Sequence, residues 1–319
     1  MRPSRALKTA AVALSMGLAA TTLGASAFVA GPLASPAVEE CLDGEDTSSA
    51  ARVRKGATVA EPPLYNDKQA KQYGLMTDLP TLPAGSVTVE TVFHVITDTE
   101  LTAAERKRLL RMIDAQMDVL NASFAGTTSP DAATTPFRFD LVDTNFVIND
   151  AWANVAPGKT EKDMKAALHQ GDSETLNVYV ADIGGGLLGW AYFPKGYNDG
   201  RDYIDGVVIL DESMPGGTAA PYNEGDTLTH EVGHWLMLEH TFAHGCSAAG
   251  DGVADTPSEA YPQFYCNAAD TDTCETQSGL DPIHNFMDYT EDFCLNMFTQ
   301  GQADRMSDAW QEFRAGGNG

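Results

Sequence analysis

Hydrophobic and polar positions take up a regular pattern only from about residue 86. The segment SVTVETVFHVITD (86–98) alternates apolar and polar residues and is rich in β-branched side chains, which predicts a strand. Next comes LTAAERKRLLRMIDAQMDVLNASFAG (101–126). Thr102 can cap a helix there, Leu109, Met112, Ile113, Gln116, Met117 and Leu120 fall on one face, and Gly126 closes it. FRFDLVDTNFVI (137–148) and ETLNVYVADIG (174–184) read as strands on either side of a short helix, EKDMKAALHQG (161–171). After GGGLLGWAYFP (184–194), YIDGVVILDE (203–212) predicts another strand. From about His240 the pattern gives way to loops, with one closing helix over TQGQADRMSDAWQEF (299–313) and no internal repeat. Strands and helices therefore alternate first, and a part poor in secondary structure follows.

The residues before this pattern call for a different account. A basic start, MRPSRALK, precedes an alanine-rich apolar run ending in ASA, which predicts a secretory signal peptide over 1–27. Residues 28–60 read as a pro-segment or flexible lead whose end extends up to about 83, with the basic ARVRK (51–55) as a processing point. The remainder, 61–319, is the expected globular domain, long enough to bury a substantial core. No later segment is long and apolar enough to span a bilayer. The formal charge of −25 becomes about −28 when Arg2, Arg5 and Lys8 leave with the signal. Such an anion does not bind nucleic acid or anionic lipid through its general field, so neither is expected as a partner.

Candidate chemistry is concentrated in HEVGHWLMLEH (230–240). On a helix, His230 and His234 are about 400° apart and project from one face roughly 6 Å apart, a spacing that lets two imidazoles grip one Zn²⁺. Glu231 then lies close enough to act on a water at the metal. His240 would face away if the helix continued, so the chain must turn before it. Glycine is the usual residue for that turn, and here the position holds Met237. A left-handed conformation costs an L-residue roughly 1–2 kcal/mol, so Met237 is expected to adopt one and end the helix. Otherwise a downstream carboxylate such as Glu239 would be the third ligand.

Downstream, NFMDYTEDFCLNMF (285–298) places a methionine and a tyrosine two residues apart, Met287 and Tyr289. Together with TLTHEVGHWLMLEHTF, GDGVADTP, DPIHNFMDYTEDFCLNMFTQGQADRM and GGGLLGWAYFP, this resembles the pappalysin family of metzincin zinc proteases over roughly residues 87–314; Met237 is the departure from the pattern. The resemblance implies an α/β (α+β) catalytic domain: a twisted mixed sheet with an active-site helix and a backing helix, then a loop-rich, disulfide-linked C-terminal subdomain with a Met-turn. It further implies that His230, His234 and His240 bind Zn²⁺, that Glu231 is the general base, that Tyr289 donates to the developing oxyanion, and that Met287 is the Met-turn residue. Substrate would pair with the edge formed by Gly184–Phe193. Relatives that cut beside basic residues would want an acid in the pocket under the Met-turn; Leu295 follows the last cysteine, so no such preference is read.

Five cysteines remain. Cys246, Cys266, Cys274 and Cys294 permit three pairings, and the resemblance implies Cys246 with Cys274 and Cys266 with Cys294. Cys41 stands alone in the lead, either as a thiolate that silences the zinc site or as an unpaired residue lost with the lead. In GDGVADTP, Asp251, Asp255, Thr256 and the carbonyl of Val253 form an oxygen cluster suited to structural Ca²⁺, as in pappalysin-like enzymes; the alternative is a solvated turn. His94 is expected in the core, His169 at the surface, and His244 and His284 as structural neighbours of the site. The expected protein is thus a secreted, monomeric zinc endopeptidase acting on proteins and peptides. The alternative is a secreted zinc-binding or adhesion module without catalysis, against which the intact Glu231 argues.

Overall fold

The computed structural model describes residues 49–57, 79–194, 202–248, 250–268 and 271–317. The expected signal peptide, most of the expected lead and Cys41 lie outside the described residues. A mixed sheet of six strands forms the frame: β1 (Ser49–Val53), β2 (Val87–Thr97), β3 (Phe137–Ile148), β4 (Leu176–Ala181), β5 (Leu187–Tyr192) and β6 (Val207–Leu210), in the order β1-β5-β6-β4-β2-β3. β3, β2, β4 and β6 run parallel, whereas β5 is antiparallel to β6 and β1 antiparallel to β5. Parallel strands need covered faces, and β4 (LNVYVA) and β6 (VVIL) are buried at every residue.

Helix α1 (Ala103–Phe124) begins where its sequence signals. The Thr102 hydroxyl accepts from the Glu105 N–H, and the Glu105 carboxylate accepts from the Thr102 N–H, a reciprocal cap. Its buried residues, including Leu109, Met112, Ile113, Met117 and Leu120, pack on one face of the sheet together with Leu228 and Val232 of α3 (Asp226–Trp235). The other face carries Leu188, Trp190, Tyr192, Val208 and Tyr179 and meets Met164 of α2 (Lys159–Leu168). There the buried Glu161 carboxylate accepts from Trp190 Nε1 (2.7 Å) and Tyr192 Oη (2.9 Å) and pairs with Lys165 (3.0 Å). That network ties α2 to β5.

The C-terminal part is loop-rich, closes with α4 (Gln300–Ala309), and is cross-linked by Cys246–Cys274 and Cys266–Cys294. The α+β class, the mixed sheet, the backing helix and both disulfides match the expectation. β1 lies within the stretch read from sequence as lead and processing point, and it is a formed strand with Ala51 and Arg52 buried.

Candidate active site

The zinc motif sits on α3, every residue of which is buried. Helical register points His230 and His234 the same way, and two anchors hold the helix ends. At its start, Gln116 of α1 donates to the Gly225 carbonyl (2.9 Å). At its end, Trp235 donates to Asp205 (2.9 Å), while the Arg314 guanidinium stacks on the Trp235 ring at 3.4 Å and binds Asp205.

The helix stops at Trp235 because Met237 takes φ 77°, the left-handed geometry that glycine would ordinarily supply. The Leu238 N–H returns to the Gly233 carbonyl (2.9 Å), and Arg305 Nε donates to the Met237 carbonyl (2.9 Å). The turn directs His240 back, so that the three Nε2 atoms lie 3.0, 3.1 and 3.2 Å apart. Glu239, the alternative ligand, instead pairs with His244 at 3.1 Å.

This donor set fits Zn²⁺. His230 Nδ1 and His234 Nδ1 each lie 2.7 Å from a backbone carbonyl, of Phe286 and Leu238, so these nitrogens carry the protons and Nε2 is left as a lone pair. Burial lowers the pKa of all three imidazoles, that of His234 to about 4. The lone pairs of His230 and His234 face each other at 3.0 Å and repel without a cation between them, and tetrahedral Zn²⁺ ligation places such nitrogens about 3.3 Å apart.

Met287 packs against α3 at Gly233, where an added Cβ would collide with its sulfur, so glycine is required there. Tyr289 Oη lies 3.2 Å from His240 Nε2. On the sheet side, a Cβ at Gly189 would come within 2.9 Å of Glu231 Cγ, so glycine lets β5 approach the glutamate.

β1 crosses this site along β5, on the edge expected to receive substrate, with Ala51 opposite Trp190 and Arg52 opposite Gly189. The peptide bond between Ala51 and Arg52 is gripped from both ends. Tyr289 Oη donates to the Ala51 carbonyl (2.5 Å), and the Arg52 N–H donates to Glu231 Oε1 (3.0 Å). The Arg52 side chain enters a closed pocket, where Nη1 meets Asp292 Oδ1 at 2.8 Å and Thr227 Oγ1 at 3.1 Å, and Nη2 donates to the Thr290 carbonyl at 2.7 Å. Tyr222 lies against it, ring centroid 5.3 Å from Cζ. Asp292 was not identified from sequence. It stands three residues before Leu295, and its partner is 240 residues away in sequence, so no local spacing marks it.

The calcium cluster divides. Asp251 is buried and its pKa is pushed up to about 7 by that burial, with Oδ1 accepting from the Val253 N–H. Asp255, however, accepts from Thr299 Oγ1 (2.7 Å) and the Gly301 N–H (2.9 Å), capping α4. His94 is a core residue, bonded to Asn177 and stacked on Tyr179. His169 is half-buried rather than at the surface, and His284 bonds the Cys294 carbonyl.

No helix of the described residues is long and apolar enough to cross a membrane. Residues 158–311 match the M43 peptidase family described as pregnancy-associated plasma protein-A. An extracellular metalloprotease of Coccidioides posadasii is 42% identical over 234 residues, 72% of this chain and 79% of that protein. One from Verticillium alfalfae is 40% identical, covering 73% and 80%. Among solved structures, mature mirolysin of Tannerella forsythia in complex with a cleaved peptide superposes with a TM-score of 0.60 at 27% identity, over 73% of this chain and 97% of that one. A promirolysin mutant gives 0.63 at 25% identity, covering 78% and 87%. With a histidine triad fit for zinc and extracellular relatives at this identity, the chain belongs to the pappalysin family of secreted zinc metalloproteases.

Proposed function

We propose that this protein is a secreted endopeptidase with Glu231 as general base, made as a latent precursor whose own lead is the first peptide it cuts, between Ala51 and Arg52. The observation that carries the reading is the hold on that peptide bond: its carbonyl on Tyr289, its N–H on Glu231, and the following side chain in the Asp292 pocket. Zn²⁺ held by His230, His234 and His240 would supply a Lewis acid and acidify a water at that point.

The residues of the chain do the rest. Glu231 accepts from the nitrogen that becomes the leaving amine, so the same carboxylate can take a proton from water and deliver it there. Tyr289 donates to the oxygen on which charge develops, a contact worth a few kcal/mol in a buried site. Pairing with β5 orients the peptide, and the buried pocket selects Arg in the residue after the bond. Extracellular proteins bearing an exposed arginine are the expected substrates, acted on by a monomer. For Ca²⁺ we propose Asp251 with the Val253 carbonyl and Thr256; Asp255, committed to α4, contributes only through that cap.

N-terminal sequencing of secreted protein tests the reading. Wild type should acquire a new terminus at Arg52 and digest casein until chelator is added, whereas Glu231→Ala should retain its lead. Processing of Glu231→Ala purified in isolation would refute it.

A further inference from the structure

Beyond Arg52, the lead makes a second cationic contact. The Arg54 N–H donates to the Gly186 carbonyl (2.9 Å), and the Ala57 N–H then closes a turn onto the Arg54 carbonyl (3.0 Å). Strict strand alternation would send Lys55 to the face opposite Arg52. The register shift between Arg52 and Val53, followed by that turn, breaks the alternation. Both cations consequently end over tyrosine rings, Arg52 near Tyr222 and Lys55 with Nζ 4.5 Å from the centroid of Tyr265.

Tyr265 is not an isolated surface ring. It directly precedes Cys266, whose partner Cys294 lies two residues after Asp292, and the two α-carbons of the bridge are 5.4 Å apart. The Cys266 N–H also faces Glu291 Oε2 at 3.5 Å. One disulfide thus ties the loop bearing the aromatic face to the loop bearing the acid of the arginine pocket. The spacing between the two cation-recognising groups is fixed by a covalent link.

We propose that Tyr265 is a specificity-determining residue whose ring recognises a lysine or arginine four residues beyond the scissile bond, so that preferred substrates read cleavage-Arg-x-x-Lys/Arg. This rests on the reading that the lead lies in the cleft as a substrate does. A cation over a solvent-exposed ring contributes an amount equivalent to about two- to fivefold in kcat/KM.

Fluorogenic peptides with Arg after the bond and Lys, norleucine or Glu in the fourth position test it against wild type, Tyr265→Phe and Tyr265→Leu. Wild type and Tyr265→Phe should favour Lys over norleucine by about two- to fivefold more than Tyr265→Leu does. The overall negative charge attracts lysine peptides to all three proteins equally, so the difference isolates the ring. An equal Lys-to-norleucine ratio in wild type and Tyr265→Leu overturns the proposal while leaving the endopeptidase intact. Failure of wild type to cut any arginine peptide overturns both.

Discussion

Replacing Asp292 by Asn removes one negative charge from the arginine pocket while keeping its shape. In the structure Arg52 and Asp292 meet at 2.8 Å with both side chains fully buried, so an arginine entering the altered pocket leaves water without a counter-charge. Breaking a buried pair from one side costs about 3–5 kcal/mol, a loss of roughly 10²-fold or more in kcat/KM for peptides with Arg after the bond. A second carboxyl tempers the figure. Asp226 is buried nearby, and burial, reinforced by the Asp292 charge, pushes its pKa well above the usual carboxylate range, while the Arg52 charge opposes that rise. Without Asp292 that repulsion disappears, and the Asp226 carboxyl remains as a second acidic group facing the guanidinium. The single variant should therefore lose about tenfold, and Asp292→Asn with Asp226→Asn the full 10²-fold or more. Peptides carrying Arg, Lys or Leu after the bond, assayed at neutral pH, give the readout. An Arg-to-Leu ratio in the double variant within twofold of wild type would refute the pocket assignment.

Two further outcomes follow from the surroundings of the site. Met237→Gly relieves a left-handed Met, worth roughly 1–2 kcal/mol, but deletes a fully buried side chain whose loss costs about 2–5 kcal/mol, so denaturant unfolding should show net destabilisation; a more stable variant would contradict this balance. Burial, reinforced by Asp288, raises the pKa of Glu259 to about 9, so the folded state keeps its proton while the unfolded chain ionises near 4.5. The stability this group contributes is present below pH 4.5 and is lost as pH rises toward 9. In a Glu231→Ala background that prevents self-digestion, Glu259→Gln should flatten the decline of Tm with pH across that window, and coincident slopes would show that Glu259 is not held protonated.

What the sequence made legible was whatever has a local period. The helical spacing of His230 and His234, the Thr102 cap and the alternating strands each depend on neighbours within a turn or two, and the structure has them in place. Met237 was readable as a turn because the third histidine demanded one. Tertiary pairing was not readable. Ser49–Val53 carries no strong strand pattern of its own, and its extended form shows only in its pairing with the edge of β5, so composition alone did not mark it as a strand. Asp292 and Tyr265 carry no periodic mark either, since their partners lie across the fold. The hydrogen bonds from Thr299 and Gly301 to Asp255 were likewise not readable, since the start of α4 lies more than 40 residues on.

The antiparallel seat of β1 also bears on what happens after the first cut. The proposed hydrolysis between Ala51 and Arg52 would release the upstream piece, but the new terminus would begin with Arg52, held in its pocket and covalently part of the catalytic domain. A tethered product sits at an effective concentration in the millimolar range, far above that of most diffusing substrates. One such cleavage would relieve the block only in part: the enzyme would remain subject to intramolecular product inhibition until the Arg52–Lys55 segment is trimmed away or swings out. Activation should accordingly show a lag between the appearance of the new terminus and the rise of full activity.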